Sequence, residues 1–307
     1  MSSSEQSPAR SNRDPVLIFG IAPRSGTNFL HDLITSHPDA GSTFPIAENF
    51  FNHFGTTLER YARQVTTHWA VHGGGWHDGI PEDADDALMA SLGDGLLGFL
   101  RRYCDAPVMV GKTPSAENLD LVFRLFPTAR VLIVIRDGRA VVESSVRSNF
   151  GHQFGSRYDV FTEQWTNGAR AIDEFVTAFS EESDRYRLVR YEDLVVDLQA
   201  HLPAIISFCG LPLDRYDFDA ADNLPVRGSS TFGQGLHQPP QSRTHNVSWE
   251  PIEKTEEFQP LRRWESWSSA LHQQFNVIAG EYMQRLGYEI RTETADGEPL
   301  LDDMGYR

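Results

Sequence analysis

Residues 15 to 38, PVLIFGIAPRSGTNFLHDLITSHP, carry an apolar segment through a short turn into a helical pattern, and this unit restricts the fold more than any other stretch. The run VLIFGIA (16 to 22) is continuous rather than alternating, as expected of a strand covered on both faces of a parallel sheet. Past the turn, Phe29, Leu30, Leu33 and Ile34 recur at helical spacing. His37-Pro38 closes the helix, because the residue before a proline is pushed out of the helical region. A helix that begins at the carboxyl end of such a strand offers unpaired N–H groups and a positive dipole end, so residues 25 to 28 suit an anion.

The turn GIAPRSGT differs from the loop that holds nucleoside triphosphates. There a lysine follows the last glycine and reaches the β and γ phosphates, and the next Ser or Thr holds magnesium. Here Gly26 is followed directly by Thr27, and the cation Arg24 stands two residues before the glycine. A guanidinium can fork onto a pair of phosphate oxygens. Taken alone, the stretch also reads as a strand-to-helix turn with a surface arginine.

The rest of the chain repeats the alternation. PVMVGK (107 to 112) and RVLIVIR (130 to 136) read as strands, ENLDLVFRLF (117 to 126) and residues 160 to 181 as helices. YRLVRYEDL is a strand that runs into a helix, which residues 194 to 209 continue. Strands alternating with helices predict an α/β fold, a three-layer P-loop-like sandwich with a central parallel sheet of at least four strands flanked by helices. We expect a disordered segment over residues 1 to 14, a single domain over 15 to 290, and a tail over 291 to 307. Within the domain, residues 55 to 105 interrupt the alternation with the turn-rich, acidic HGGGWHDGIPEDADD between two helical pieces. Such an insertion either borders a site or is a surface excursion. Residues 224 to 250 form a lid-like loop, and an amphipathic helix over 259 to 286 packs Trp264 and Trp267 against the sheet.

Composition excludes several functions. A formal net charge of −16 argues against a nucleic-acid binder and confines any anion site to a local basic pocket. Cys104 and Cys209 lie far apart among apolar residues and read as buried thiols, which suits a reducing compartment. No apolar run approaches the roughly 20 residues of a membrane span, and the start lacks a hydrophobic signal region. The expectation is a cytoplasmic protein without a membrane span. His68, His72 and His77 have no carboxylate partner at fixed spacing, so we expect no metal there.

A second constellation lies in VLIVIRDGRAVVESS. Arg136 leaves a strand end, Asp137 and Gly138 turn the chain, and Ser144 follows about two helical turns on, where it can look back at the strand end. That pair can hold a second phosphate. Alone, Arg136 and Arg139 read equally as surface residues, one of them paired with Asp137.

Together, PRSGT and RDGRAVVESS resemble the PAPS-dependent sulfotransferase family, PAPS being 3′-phosphoadenosine 5′-phosphosulfate. The likeness extends to GKTPSAENLDLVFRLFPTARVLIVIRDGRA, LVRYEDLVVD and FCGLP and spans roughly residues 15 to 285. With an arginine in its first loop, the chain is most similar to the tyrosylprotein branch and its bacterial relatives. The resemblance implies that Arg24, Ser25, Gly26, Thr27 and Asn28 hold the 5′-phosphosulfate, and that Arg136 and Ser144 hold the 3′-phosphate. It places Tyr191 near the adenine, and Arg227, Gly228 and Ser229 in a late segment that closes over the nucleotide.

It further implies that Lys112 reaches the reacting sulfuryl group and, with Arg24, stabilises charge on the leaving oxygen, without a metal. The cytosolic branch carries a histidine after this lysine; Thr113 and Pro114 follow here, so the implied general base is Glu48, set among Phe44, Ile46, Phe50 and Phe51. The implied product is a sulfate ester of an organic acceptor. A small-molecule hydroxyl of a phenol, alcohol, lipid or sugar is expected, met by Phe50, Phe51, Phe54 and Trp76. A nucleotide or small-molecule kinase, or a non-catalytic nucleotide-binding protein of the same fold, remains as the alternative.

Overall fold

Five parallel strands, β1 (Val16–Gly20), β2 (Ala40–Ser42), β3 (Val108–Thr113), β4 (Arg130–Ile135) and β5 (Tyr186–Arg190), form one sheet of order β2-β3-β1-β4-β5. This computed structural model describes residues 14–46, 48–72, 80–148, 157–227 and 260–292. β1 pairs with both β3 and β4, placing Ile18 beside Lys112 and Leu132. Every β1 residue is buried, as its unbroken apolar run predicts.

Alternate β1 side chains enter different layers. Val16 and Ile18 join Val110, Leu132 and Val134 beneath α1 (Thr27–Thr35) and α8 (Leu198–Phe208). Leu17 and Phe19 join Val131 and Ile133 on the other face, beneath α6 (Tyr158–Ala178) and α10 (Ser269–Arg285). Each fully buried aliphatic or aromatic side chain adds about 1.5–3 kcal/mol, so the two faces together fix the three-layer order.

The structure departs from the sequence reading in three places. β2 has the sequence AGS, too short and too poor in β-branched residues to announce itself, and is defined only by pairing with β3. The insertion holds the two helical pieces expected of it, α2 (Gly55–His72) and α3 (Ala84–Leu100). One guanidinium clamps them: Arg124, on the short α4 (Val122–Leu125), donates to Glu59 at 2.7 Å, Asp85 at 2.7 Å and Asp86 at 2.6 Å. The helix after β5 is not continuous. It breaks at Asp197 between α7 (Tyr191–Val196) and α8, and the Asp197 carboxylate accepts from the Ala200 N–H at 3.0 Å as an N-cap.

The last helix begins at Ser269 rather than 259, because Ser268 caps it by accepting from the Leu271 N–H. Trp264 and Trp267 therefore stand in the turn before α10. Trp267 is buried in the apolar layer of α10, and Trp264 lies under the Arg139 guanidinium at 3.6 Å. Nearly all of the expected disordered start, lid-like loop and tail lies outside the described residues, as do Trp76 and His77. Among the described residues no helix is long and apolar enough to cross a membrane.

The approach of α6 to the end of β1 depends on Gly168. A Cβ built there would lie 1.7 Å from the Ile21 carbonyl oxygen. Alanine favours a helix by about 1 kcal/mol over glycine, yet we expect Gly168→Ala to lower stability by about 1–3 kcal/mol in urea denaturation, because backbone must move. Equal or higher stability would show that α6 does not pack so closely.

Candidate active site

Parallel pairing brings the carboxyl ends of β1, β3, β4 and β5 to one edge, where residues 21–26, Arg136 and Tyr191 follow their strands and Lys112 is the last residue but one of β3. The turn after β1 is shaped by Gly26. Its φ of 107° lies in the left-handed region, and a Cβ there would meet the Tyr191 ring at 2.3 Å. Thr27 opens α1 and is buried. Ser25 is fully buried, and its Oγ has no hydrogen-bond partner among the described residues. A buried orphan hydroxyl beside a helix start is the arrangement an incoming anion would complete.

Arg136 joins this turn to the next one. It is 5% exposed and donates through Nη1 to the Arg24 carbonyl at 2.7 Å and through Nη2 to the Pro260 carbonyl at 2.7 Å. Its guanidinium lies 4.3 Å from the centre of the Tyr191 ring, and its Nε has no partner among the described residues. Arg24 Nε donates to Ser144 Oγ at 3.2 Å, from α5 (Gly138–Val146). Asp137 caps α5 by accepting from the Arg139 N–H at 2.8 Å, which fixes where Ser144 falls.

A further cation, Arg263, belongs to this group. Burial and the nearby Arg136 and Arg147 lower its pKa, against the pull of Glu143. Burial, with Arg136 and Arg263 as like-charged neighbours, brings Arg24 down to about 10. Burial raises the pKa of Tyr191 against the pull of Arg136. Three guanidiniums that oppose one another's charge make a site that favours an anion.

A second group sits at the end of β3. Lys112 is 3% exposed; its Nζ donates to Glu48 Oε1 at 3.1 Å and to Asn28 Oδ1. The Glu48 segment is held to β3 through both backbone and side chain: the Asn49 N–H donates to the Lys112 carbonyl at 3.0 Å, and Thr113 Oγ1 donates to Asn49 Oδ1 at 3.1 Å. Burial lowers the pKa of Lys112, and Glu48 partly restores it. His31, one turn beyond Asn28 on α1, is buried beside Asp32 at 3.2 Å, and burial together with Lys112 and Arg227 brings it to about 3, so it stands neutral.

The structure thus assembles most of the expected residues, with some redistribution. Arg24 reaches Ser144 rather than Lys112, because its left-handed backbone (φ 76°) and the Arg136 hold on its carbonyl direct the side chain to α5. Tyr191 is wedged between Gly26 and Arg136 as a wall of the site. Arg227 forks onto Asp32 of α1, with Nε at 2.7 Å. Gly228 and Ser229 lie outside the described residues. Arg263 escaped the sequence reading, since LRRWESW carries no spacing relation to the strand ends.

The two conformational demands on Gly26 can be tested together. We expect Gly26→Ala to weaken binding of adenosine 3′,5′-bisphosphate about 10-fold or more by calorimetry, since both the backbone strain and the Tyr191 clash fall on the turn. Unchanged affinity would show that the turn does not hold the ligand.

The family model of the sulfotransferase family matches residues 15–215. Protein-tyrosine sulfotransferase 1 of Danio rerio is 26% identical over 208 residues, which cover 66% of this chain and 55% of that protein. The protein-tyrosine sulfotransferase of Drosophila melanogaster is 25% identical over 209 residues, covering 66% of this chain and 39% of that protein. The chain thus spans about half or less of the length of these curated relatives. Among solved structures, the sulfotransferase domain from the Synechococcus PCC 7002 olefin synthase superposes with a TM-score of 0.53 at 21% identity, covering 94% of this chain and 100% of that one. That likeness concerns the fold, a parallel sheet between helical layers of the P-loop-like kind. With a family match over well more than half its length, the chain belongs to the sulfotransferase family.

Proposed function

We propose that the protein transfers the sulfuryl group of PAPS to a phenolic hydroxyl. The observation that carries this reading is Lys112, buried at the end of β3 with its ammonium between Glu48 at 3.1 Å and Asn28 in the first turn of α1. A cation and a carboxylate are thereby adjacent where the two substrates of a group transfer would meet. The Arg24, Arg136, Arg263 and Ser144 group accounts for the second phosphate of the donor, and the orphan Ser25 Oγ and Arg136 Nε fit an anionic ligand.

In this reading the acceptor oxygen attacks sulfur, the bond from sulfur to the bridging oxygen of the donor breaks, and Glu48 takes the hydroxyl proton. Negative charge grows on the bridging oxygen, where Lys112 supplies an opposing charge in a dry setting. The donor contributes an activated sulfuryl group; positioning and charge stabilisation fall to the chain.

The acceptor is read as phenolic because a protein tyrosine and a small phenol share that group. The relatives are named for protein tyrosine. On this chain, Phe44 and Phe54, 74% and 64% exposed, flank the Glu48 segment and can meet a ring, whereas Phe51 packs into the core. We read the protein as cytoplasmic, consistent with two free buried cysteines.

Labelled-sulfate transfer from PAPS, run in parallel on tyrosyl peptides, small phenols, aliphatic alcohols and sugars, separates the acceptors. Transfer to either phenolic class and not to the others is expected. Magnesium-dependent ATP turnover without sulfate transfer would instead establish a kinase. Glu48→Gln should lower kcat by about 100-fold while leaving bisphosphate affinity within about twofold.

The alkaline side of the rate profile reports Lys112. The reaction needs the ammonium, so the rate falls as pH rises through a pKa that burial has lowered from the usual lysine range. In Lys112→Arg the residual activity should lose this alkaline fall, because arginine stays charged. An unmoved alkaline limb would assign it to another group.

A further inference from the structure

Glu143 is a buried carboxylate that the proposed reaction does not use. It is 2% exposed, and it is held by three donors: Trp267 Nε1 at 2.7 Å, Tyr158 OH at 3.2 Å, and the Arg147 guanidinium. Burying a carboxylate costs several kcal/mol before its partners are counted, and an apolar side chain fills such space more favourably. A charge kept here has its use in geometry.

The partners show what that geometry is. Trp267 belongs to the segment from Pro260 to Trp267, which lies against α5 and the turn before it. Three contacts join the two: Arg136 to the Pro260 carbonyl, Arg139 over the Trp264 ring, and Glu143 to the Trp267 indole. Arg263 lies midway along this segment, close enough to Arg24, Arg136, Tyr191 and Glu143 to feel the charge of each. Glu143 directly precedes Ser144, whose hydroxyl meets Arg24. The carboxylate therefore fastens the far end of the segment to the helix turn that carries Ser144.

We propose that Glu143 is a positioning residue for the 3′-phosphate, tying the Pro260–Trp267 segment to α5 so that Arg263 and Ser144 face the same anion. This rests on the reading of a donor with two separate phosphate sites. It acts through Trp267 and Arg147 and touches no reacting atom.

The test compares adenosine 3′,5′-bisphosphate with adenosine 5′-monophosphate, which lacks the 3′-phosphate, by calorimetry on the full chain. The unaltered protein should prefer the bisphosphate. Glu143→Gln keeps the size of the side chain and an acceptor for Trp267 but loses the charge. It should reduce the preference about 10-fold, with monophosphate affinity unchanged within about twofold. Trp267→Phe, altered on the other side of the same contact, should reproduce the selective loss, and thermal melts confirm that both variants fold. The sign is diagnostic: removing a negative charge near guanidiniums by itself tightens an anion. Tighter or unchanged bisphosphate binding would overturn the proposal, and so would equal weakening of both ligands. An unaltered protein that binds the two ligands alike would sink the two-phosphate reading and this proposal with it. A discriminating protein with unaffected variants would sink the role of Glu143 alone.

Discussion

The Arg136 guanidinium is where the turn after β1, the turn after β4 and the segment before α10 meet. A buried arginine cannot shed its proton, so its charge must be met by hydrogen bonds or counter-charges. Here two backbone carbonyls, from Arg24 and Pro260, and the face of Tyr191 surround it. The Arg136 carbonyl in turn accepts from the Trp165 indole at 3.1 Å, which ties the strand end to α6. Two of its contacts are to backbone, so the charge organises chain path and not merely side chains. Its Nε, which has no partner among the described residues, leaves the guanidinium able to serve an anion as well as the fold.

Two electrostatic groups stand along the sheet edge, and they differ in kind. Around Arg136 the cations outnumber the carboxylates, and burial together with like charges lowers the pKa of Arg24 and Arg263. Around Lys112 the balance is even, one ammonium against Glu48, with the amide of Asn28 as a second acceptor for the ammonium. On the proposed function the first group answers the permanent charges of the donor, and the second answers charge that develops only during transfer. The body around them is acidic, with a net charge of −16, so the arginine group forms a local positive focus in a negative field.

The sheet and the first loop were readable because local rules decide them. A continuous apolar run must be covered on both faces, and β1, β3 and β4 follow from that alone. The glycine before α1 answers to its own φ, and Ser144 keeps its helical distance from Arg136 wherever the helix lies. Misplaced boundaries had equally local causes that are weaker in sequence. Asp197 and Ser268 are each one side chain in a helical pattern, and only the N–H they accept reveals a cap.

Sequence by itself determined the strand–turn–helix units, the order of the two arginine-bearing turns and the chemical types at their ends. Tertiary structure alone decided which of those groups meet. Glu48 lies beside Lys112, and Glu143 lies beside Trp267, across sequence separations of 64 and 124 residues. Arg263 joins Arg24 and Arg136 from beyond a long connection. No periodicity encodes such pairs, because the partners approach only when separate layers close on the sheet, and the energy that brings them together is the burial of apolar faces elsewhere in the chain.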